Sequence, residues 1–381
     1  MENVRYRSPE EFERTKLMPI GQPSRLAIFD RLDRAVDELA HVGGLPRPAE
    51  AESIWEGIWY EETHHSTAIE GNTLILKEVK TLLEEGRAVG EKELREYLEV
   101  QGYAEAAQWV YQQAHRDGLW ADTQLISLGE LREIHRLTVE PVWRHFPPAD
   151  QDPAEGPGSF RRHDIEPFPG GMQPPPWPDV SPQVSDWILA TQTLGEYAEG
   201  WFSEGMPLAE PTEHPIAQLA SLHAGLERIH PFRDGNGRSG RLALNLMLVR
   251  FGYPPAVIYK KDRAKYLNAL DRADKGDPCP LGELLARAVT HGIDRFLLPA
   301  LAGPQRIIPL SALADGDLSL IALRRAADRG RLRAIRRSDQ WYSTRRWVDE
   351  YKTSRQRGKR RQPRDSVPRD QTKPDQQLTL D

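Results

Sequence analysis

Hydrophobic positions along this chain recur mostly at three- and four-residue intervals, the period of a helix face turned toward a core. Ile216, Leu219, Ala220, Leu222, Leu226 and Ile229 form one such stripe. Comparable stripes predict helices over residues 25–41, 49–69, 73–85, 91–116, 126–138, 184–199, 215–229, 240–251, 263–273 and 282–297. Period-two alternation is rare and short. Residues 141–178 are rich in Pro and Gly and are expected to form an irregular connection. Within them, residues 158–172 alternate briefly and reach Gly170-Gly171, followed by prolines from Pro174. That is the pattern of a small hairpin running into extended chain. The expected fold class is mostly α, with a helical core, a small β-hairpin flap and a few further strands near the C-terminus.

The stripe over 215–229 stops at His230-Pro231. Proline restricts the residue before it and has no amide proton, so His230 is expected to project from a helix end. Asp234, Gly235, Asn236, Gly237, Arg238 and Arg241 follow within one loop-to-helix junction. A Gly-Asn-Gly turn can point successive amide protons into an anion nest, and the N-terminus of the next helix, expected near Arg238, favours phosphate. Arg238 and Arg241 are three apart, on one helix face, and both can fork onto phosphate oxygens. Asp234 is a natural ligand for Mg²⁺, which takes one or two carboxylates plus phosphate oxygens. An imidazole has a reference pKa of about 6.5, so a neutral His230 is available as a base at pH 7.

The segment from His230 to Arg241 resembles the signature loop of the Fic family, H-x-F-x-[D/E]-G-N-G-R-x-x-R. Its fixed positions are met by His230, Phe232, Asp234, Gly235, Asn236, Gly237, Arg238 and Arg241. The resemblance implies transfer of AMP from ATP to a Ser, Thr or Tyr hydroxyl of a protein. His230 is then the general base and Asp234 holds Mg²⁺ at the α- and β-phosphates. The Gly-Asn-Gly turn forms the anion hole, and Arg241 takes the γ-phosphate. Upstream, Ser66, Glu70 and Gly71 resemble the family's inhibitory motif, [S/T]-x-x-x-E-[G/N]. Ser66 and Glu70 share a helix face, with Gly71 as the helix stop. A buried Glu70 carboxylate paired bidentately with Arg241 would withhold that guanidinium from the γ-phosphate. The flap around Gly170 and Gly171 resembles the one that receives the target chain as an added strand. Tyr266 is the candidate for a tyrosine that contacts the nucleotide.

Composition bounds the rest. The 381 residues are 39% hydrophobic and 28% charged, enough for two or three soluble domains. No apolar run approaches a membrane span of ~20 residues, and residues 1–16 lack a signal-peptide core. The single cysteine, Cys279, excludes an internal disulfide and a cysteine-cluster metal site. A cytoplasmic protein with no membrane partner is expected, and a homodimer is compatible with the sequence. Charge is uneven. Residues 305–362 carry 16 Lys+Arg against 6 Asp+Glu, a balance of +10, which leaves −16 elsewhere in a chain of −6. Their pattern reads helix, turn, helix, hairpin, helix, and resembles the excisionase-like winged helix-turn-helix modules that read DNA. Arg324, Arg325, Arg333, Arg336 and Arg337 are the candidate phosphate contacts. The expected organisation is a helical region with the inhibitory motif (1–120), a catalytic core (121–300), the basic module (305–353) and a disordered tail (354–381).

These readings combine into an autoinhibited protein adenylyltransferase using ATP and Mg²⁺, with a protein target, and with either DNA or a docked protein as the partner of the basic module. The alternatives are a nucleotide-sensing, DNA-binding transcriptional regulator, and an enzyme of the same family that removes AMP or transfers another nucleotide-linked group.

Overall fold

The computed structural model describes residues 25–115, 124–150, 152–167, 171–204, 211–337 and 340–360. The chain divides into two units, residues 1–302 and 303–381. The first holds helices α1 (Arg25–His41), α2 (Glu52–Ile69), α3 (Leu76–Glu85), α4 (Leu94–Ala114), α5 (Leu128–His145), α6 (Trp177–Glu204), α7 (Pro215–Ile229), α8 (Asn236–Arg250), α9 (Arg263–Asp274) and α10 (Cys279–Gly292). A π-turn (Ile293–Leu297) leads into the short α11 (Leu298–Leu301).

Helix α8 is the axis of this unit. It packs against α4, α5 and α7, and residues 238–250 are buried throughout. A helix enclosed on every side is mostly apolar, and Leu242, Ala243, Leu244, Leu246, Met247, Leu248 and Val249 supply this, while its buried Arg241 and Asn245 find polar partners on α2. Arg250, at its end, is neutralised by Glu130 of α5 through contacts of 2.6 and 3.0 Å. Glu130 also closes the capping box on Ser127 that starts α5.

Three expectations are corrected. Residues 141–178 are not irregular at their ends, because α5 runs through Pro141 to His145 and α6 begins at Trp177. Pro141 removes the bond to the Leu137 carbonyl. That oxygen faces Gly102 of α4, where an added Cβ would lie 3.0 Å from it and 2.5 Å from Thr138 O, so α4 shelters the interrupted turn. Second, α8 starts at Asn236, inside the loop, rather than near Arg238 or Gly240. Third, ordered helix extends beyond Ser354, where the tail was expected to begin; the last helix continues to Arg360.

In residues 303–381, strand β1 (Ile308–Pro309) is followed by α12 (Leu310–Leu313) and α13 (Leu320–Asp328). Strands β2 (Ile335–Arg337) and β3 (Gln340–Ser343) form a hairpin, and α14 (Arg345–Arg360) closes the unit. The sheet is antiparallel in the order β1-β3-β2, with Ile308 opposite Ser343 and Ile335 opposite Tyr342. Leu310, Leu313, Leu318, Leu323, Leu332, Tyr342 and Val348 form its core. Ser319 caps α13 by accepting from the Ala322 amide. Along this unit the elements follow as strand, helix, helix, hairpin and helix.

Candidate active site

Helix α7 ends at Ile229, and His230 adopts the left-handed region with φ 48°. The His230 Nδ1 lies 3.1 Å from the Glu227 carbonyl. A carbonyl only accepts, so Nδ1 carries the proton and Nε2 carries the lone pair. Burial pushes the imidazole below its ordinary pKa; Arg161 adds to this, while the Glu227 carbonyl, Glu70 and Asp234 oppose it. A neutral imidazole with a lone pair on Nε2 is the form a general base needs.

The loop beyond it is locked by two side chains. Asn236 accepts from the Phe232 amide and donates to the Phe232 carbonyl, both at 2.8 Å. Phe232 is buried and stacks on His135 of α5, with centroids 3.7 Å apart. His135 Nδ1 accepts from the Gly158 amide at 2.9 Å, which makes Nε2 the donor to the Asp234 carbonyl, also at 2.9 Å. Burial pushes the His135 pKa down to about 4, so it is neutral and keeps this tautomer.

Asp234 presents its carboxylate at the mouth of the loop. One oxygen accepts from the Gly235 amide at 2.6 Å. Arg238 approaches to 3.5 Å and Arg95 of α4 to 3.8 Å. Arg238 is itself buried, yet its Nε and Nη1 have no protein partner among the described residues. Buried donors left unpaired are costly, and here they sit beside the N-terminus of α8.

Arg241 is held by the two residues of the upstream motif. Its Nε donates to Ser66 Oγ at 2.7 Å, and its Nη2 donates to Ser66 O at 3.0 Å and meets Glu70 Oε1 at 2.8 Å. The contact runs through Nη2 alone rather than through two nitrogens, and Ser66 takes Nε and shares Nη2. The carboxylate is not buried: Glu70 is the C-cap of α2 and its side chain is 42% exposed, against 5% for Arg241. Desolvation works to raise the Glu70 pKa, but Arg241, with Arg238 and Arg263, outweighs it and holds the carboxyl below the usual range. Gly71 ends the helix with φ 107°, as the spacing predicts. Gly237 leaves room for this pair: a Cβ on it would lie 2.6 Å from Glu70 Oε1 and displace that carboxylate.

Behind this pair lies a buried layer that the motifs do not mark. Glu62 accepts from Tyr103 Oη at 2.9 Å, from Asn245 Nδ2 at 2.7 Å and from the Tyr111 hydroxyl. Glu62, Ser66 and Glu70 are spaced by four on α2, and Arg241 and Asn245 are spaced by four on α8. Two helix faces therefore meet residue for residue. That spacing is the signal for Glu62; Arg161 and His135 leave no comparable signal. Tyr266 is buried, and its hydroxyl lies 2.8 Å from His223 Nε2. It supports the wall behind Arg241. Glu227 is enclosed next to it, and burial pushes its pKa up to about 7.

Of the flap, Gly158 to Asp164 run beside the loop, and the Arg161 amide donates to Pro231 O at 2.9 Å. Gly170 lies outside the described residues, and Gly171 is exposed. In the second unit, Arg324 and Arg325 are exposed on α13, and Arg333, Arg336 and Arg337 are exposed on and before the β2–β3 hairpin. Their guanidiniums lie over Trp347 at 4.3 Å, Trp341 at 6.0 Å and Tyr342 at 5.2 Å. Ile321 of α13 is 62% exposed. Leu323, Ala326 and Ala327 form the buried face of that helix.

Residues 125–248 match the model of the Fic/DOC family. A protein named "Protein adenylyltransferase Fic" from Culex quinquefasciatus is 34% identical over 273 residues, which are 71% of this chain and 47% of that one. Its namesake from Aedes aegypti is 31% identical over 293 residues, 76% and 52% of the two chains. The present chain spans about half the length of the curated relatives it matches. Among solved structures, a fragment of Fic-1 from C. elegans aligns over 71% of each chain, with 26% identity and a TM-score of 0.54. A Fic-domain signaling protein from Bacteroides thetaiotaomicron, 21% identical with a TM-score of 0.52, shares the fold over 71% of this chain and 95% of its own.

Proposed function

Because the chain belongs to the Fic/DOC family, we propose that it is a protein adenylyltransferase held off by its own Glu70. It would transfer AMP from ATP to a Ser, Thr or Tyr hydroxyl of a protein target. The observation that carries this reading is Arg238. Its buried, unpartnered guanidinium nitrogens lie at the start of α8, beside Asp234 and a His230 with its lone pair on Nε2.

The His230 Nε2 takes the hydroxyl proton as the oxygen bonds to the α-phosphorus. The bond from that phosphorus to the bridging oxygen breaks, and pyrophosphate leaves. Charge gathers on the phosphate oxygens in this step. The α8 N-terminal amides and Arg238 are fixed before it begins, so they stabilise that charge without reorganising. Mg²⁺ fits Asp234, which offers one exposed carboxylate. Among the described residues no group of three or more His, Cys, Asp or Glu could hold a metal alone. The ion would complete its shell with phosphate oxygens and water and would neutralise the leaving group. Glu70 opposes the reaction by occupying Arg241, the intended γ-phosphate ligand, so that a bound triphosphate sits out of line.

The test uses wild type, Glu70→Gly and His230→Ala in the Glu70→Gly background, each incubated with α-labelled nucleotides, Mg²⁺ and cell lysate. A labelled protein band in Glu70→Gly that disappears with His230→Ala supports transfer. Label leaving a pre-modified protein indicates AMP removal, and no label from any nucleotide leaves the sensing regulator. A cytoplasmic setting fits the single cysteine, which is buried, and no described helix is long and apolar enough to cross a membrane.

A second reading concerns residues 303–360, proposed to bind duplex DNA. The observation favouring it is the set of exposed arginines on α13 and the wing, the elements that meet a groove and its flanking phosphates in such folds. Stacking on Trp347, Trp341 and Tyr342 orients three of these guanidiniums in advance.

A further inference from the structure

His230 is the one non-glycine residue with positive φ among those described. Such a conformation is strained and persists where the surroundings over-determine it. The surroundings are supplied by Arg161, from the flap. Its side chain is fully shielded from solvent, and its hydrogen bonds go to main-chain oxygens. Nε donates to His230 O at 2.9 Å, Nη2 to Pro175 O at 2.6 Å and to Ile229 O at 3.4 Å, and Nη1 to His163 O at 3.1 Å. Its amide holds Pro231 O at 2.9 Å. Three consecutive carbonyls, those of residues 229, 230 and 231, therefore hang from one residue. Asp164 lies 3.9 Å away and is 71% exposed, a weak counter-ion. The charge is accommodated by the carbonyl dipoles at the C-terminal end of α7, and the buried Glu155 carboxylate also favours it.

We infer that Arg161 is a positioning residue for the transfer reaction, fixing the His230 peptide so that Nε2 faces the hydroxyl to be modified. The inference rests on His230 being the base. A lysine cannot replace the guanidinium, because one ammonium cannot reach carbonyls on two sides of a planar fork. The same buried cation disfavours a second charge on the imidazole. Burial is the larger cause of the low His230 pKa, and Arg161 acts with it. The Glu227 carbonyl on α7, Glu70 at the end of α2 and Asp234 in the loop act against it. Arg161 therefore has two separable effects, one geometric and one electrostatic.

The experiment compares Arg161→Gln and Arg161→Lys with their Glu70→Gly parent, measuring kcat, the KM for ATP and the pH profile of kcat. Arg161→Gln is expected to lower kcat about 10²-fold, the scale of a misplaced base, with KM for ATP within about two-fold of the parent. Its acid limb moves to higher pH, because a cation that opposed protonation is gone. Arg161→Lys keeps the charge, so its acid limb stays at the parental pH while kcat recovers in part. An unchanged kcat in Arg161→Gln overturns the inference, and so does a loss of kcat with no movement of the acid limb. If Arg161→Gln does not fold, Arg161→Lys decides: parental kcat overturns the inference, and lowered kcat at a parental acid limb sustains it. Failure of the underlying reading is seen separately, as transfer surviving His230→Ala in the same parent.

Discussion

Arg241 and Glu70 meet at 2.8 Å across the face where α8 passes the end of α2. The arginine is enclosed, whereas the glutamate is 42% exposed and sits at a helix terminus. The cation is therefore the fixed partner, and the carboxylate is the one that can leave.

Replacing Glu70 should accordingly cost little stability and change activity greatly. Glu70→Gly is expected to raise AMP transfer by about 10²-fold or more, since small misplacements of a reacting phosphorus cost orders of magnitude. Its unfolding free energy should fall by only about 1 kcal/mol, as for a partly exposed pair. Labelled-ATP transfer and urea unfolding, run side by side, check both. Equal transfer in wild type and variant, with ATP bound by each, would remove Glu70 from the control of this site.

The pH response separates the two groups. The Glu70 carboxyl lies below its ordinary value, which is about 4.3. The Glu70–Arg241 contact is thus intact above that ordinary value and is lost only as pH falls through the lower, folded value. The ratio of Glu70→Gly to wild-type activity should stay constant from about pH 6 to 9. His230 is also lowered, but it works unprotonated. The kcat of Glu70→Gly should hold level at neutral pH and fall on acidification, with a midpoint below about 6.5. A midpoint above that value contradicts the burial of His230.

Glu62 has the opposite balance of effects. It is enclosed, with three donors aimed at it. Glu62→Ala strands Tyr103, Tyr111 and Asn245 and should destabilise the protein by about 3 kcal/mol. It should also raise basal transfer, because α2 loses the bond that sets Ser66 and Glu70 against Arg241. Thermal melts and transfer assays test this; a melt shift with unchanged basal transfer would limit Glu62 to stability.

Asn236→Ala removes both side-chain bonds that close the turn on Phe232. In the Glu70→Gly background kcat is expected to fall about 10²-fold while the melting temperature moves by a few degrees. Normal kcat would show that the turn keeps its shape without that clamp.

For the C-terminal unit, DNA affinity should drop steeply with salt. Arg336→Ala or Arg324→Ala should each reduce the slope of log K against log salt by about 1. Binding insensitive to salt, or none at low salt, excludes the DNA reading.

Much of this could be read along the chain, for reasons that are local. Helical stripes follow from three- and four-residue spacing. The break at His230 follows from Pro231, and the anion turn follows from Gly235-Asn236-Gly237. The same local rules misplaced the proline-rich connection, because the shelter of Pro141 by Gly102 is a contact between two helices. They also gave Glu70 more burial, and a fuller grip on Arg241, than it has. The competing acceptors on Ser66, its hydroxyl and carbonyl oxygens, are visible only when α2 lies against α8.

The sequence by itself determined which groups exist: a base, a carboxylate, a phosphate turn, two arginines for an anion, and a carboxylate elsewhere to oppose them. Tertiary structure alone decided their states. The neutrality of His135, the raised Glu227 and the unpaired Nε and Nη1 of Arg238 all depend on burial by residues distant in the chain. Arg161 is the clearest case. As one arginine among many it carries no signal in the sequence, but the flap places it on the carbonyls of residues 229, 230 and 231. Hydrogen bonds and desolvation act through space, so the chain had to fold before these roles were set.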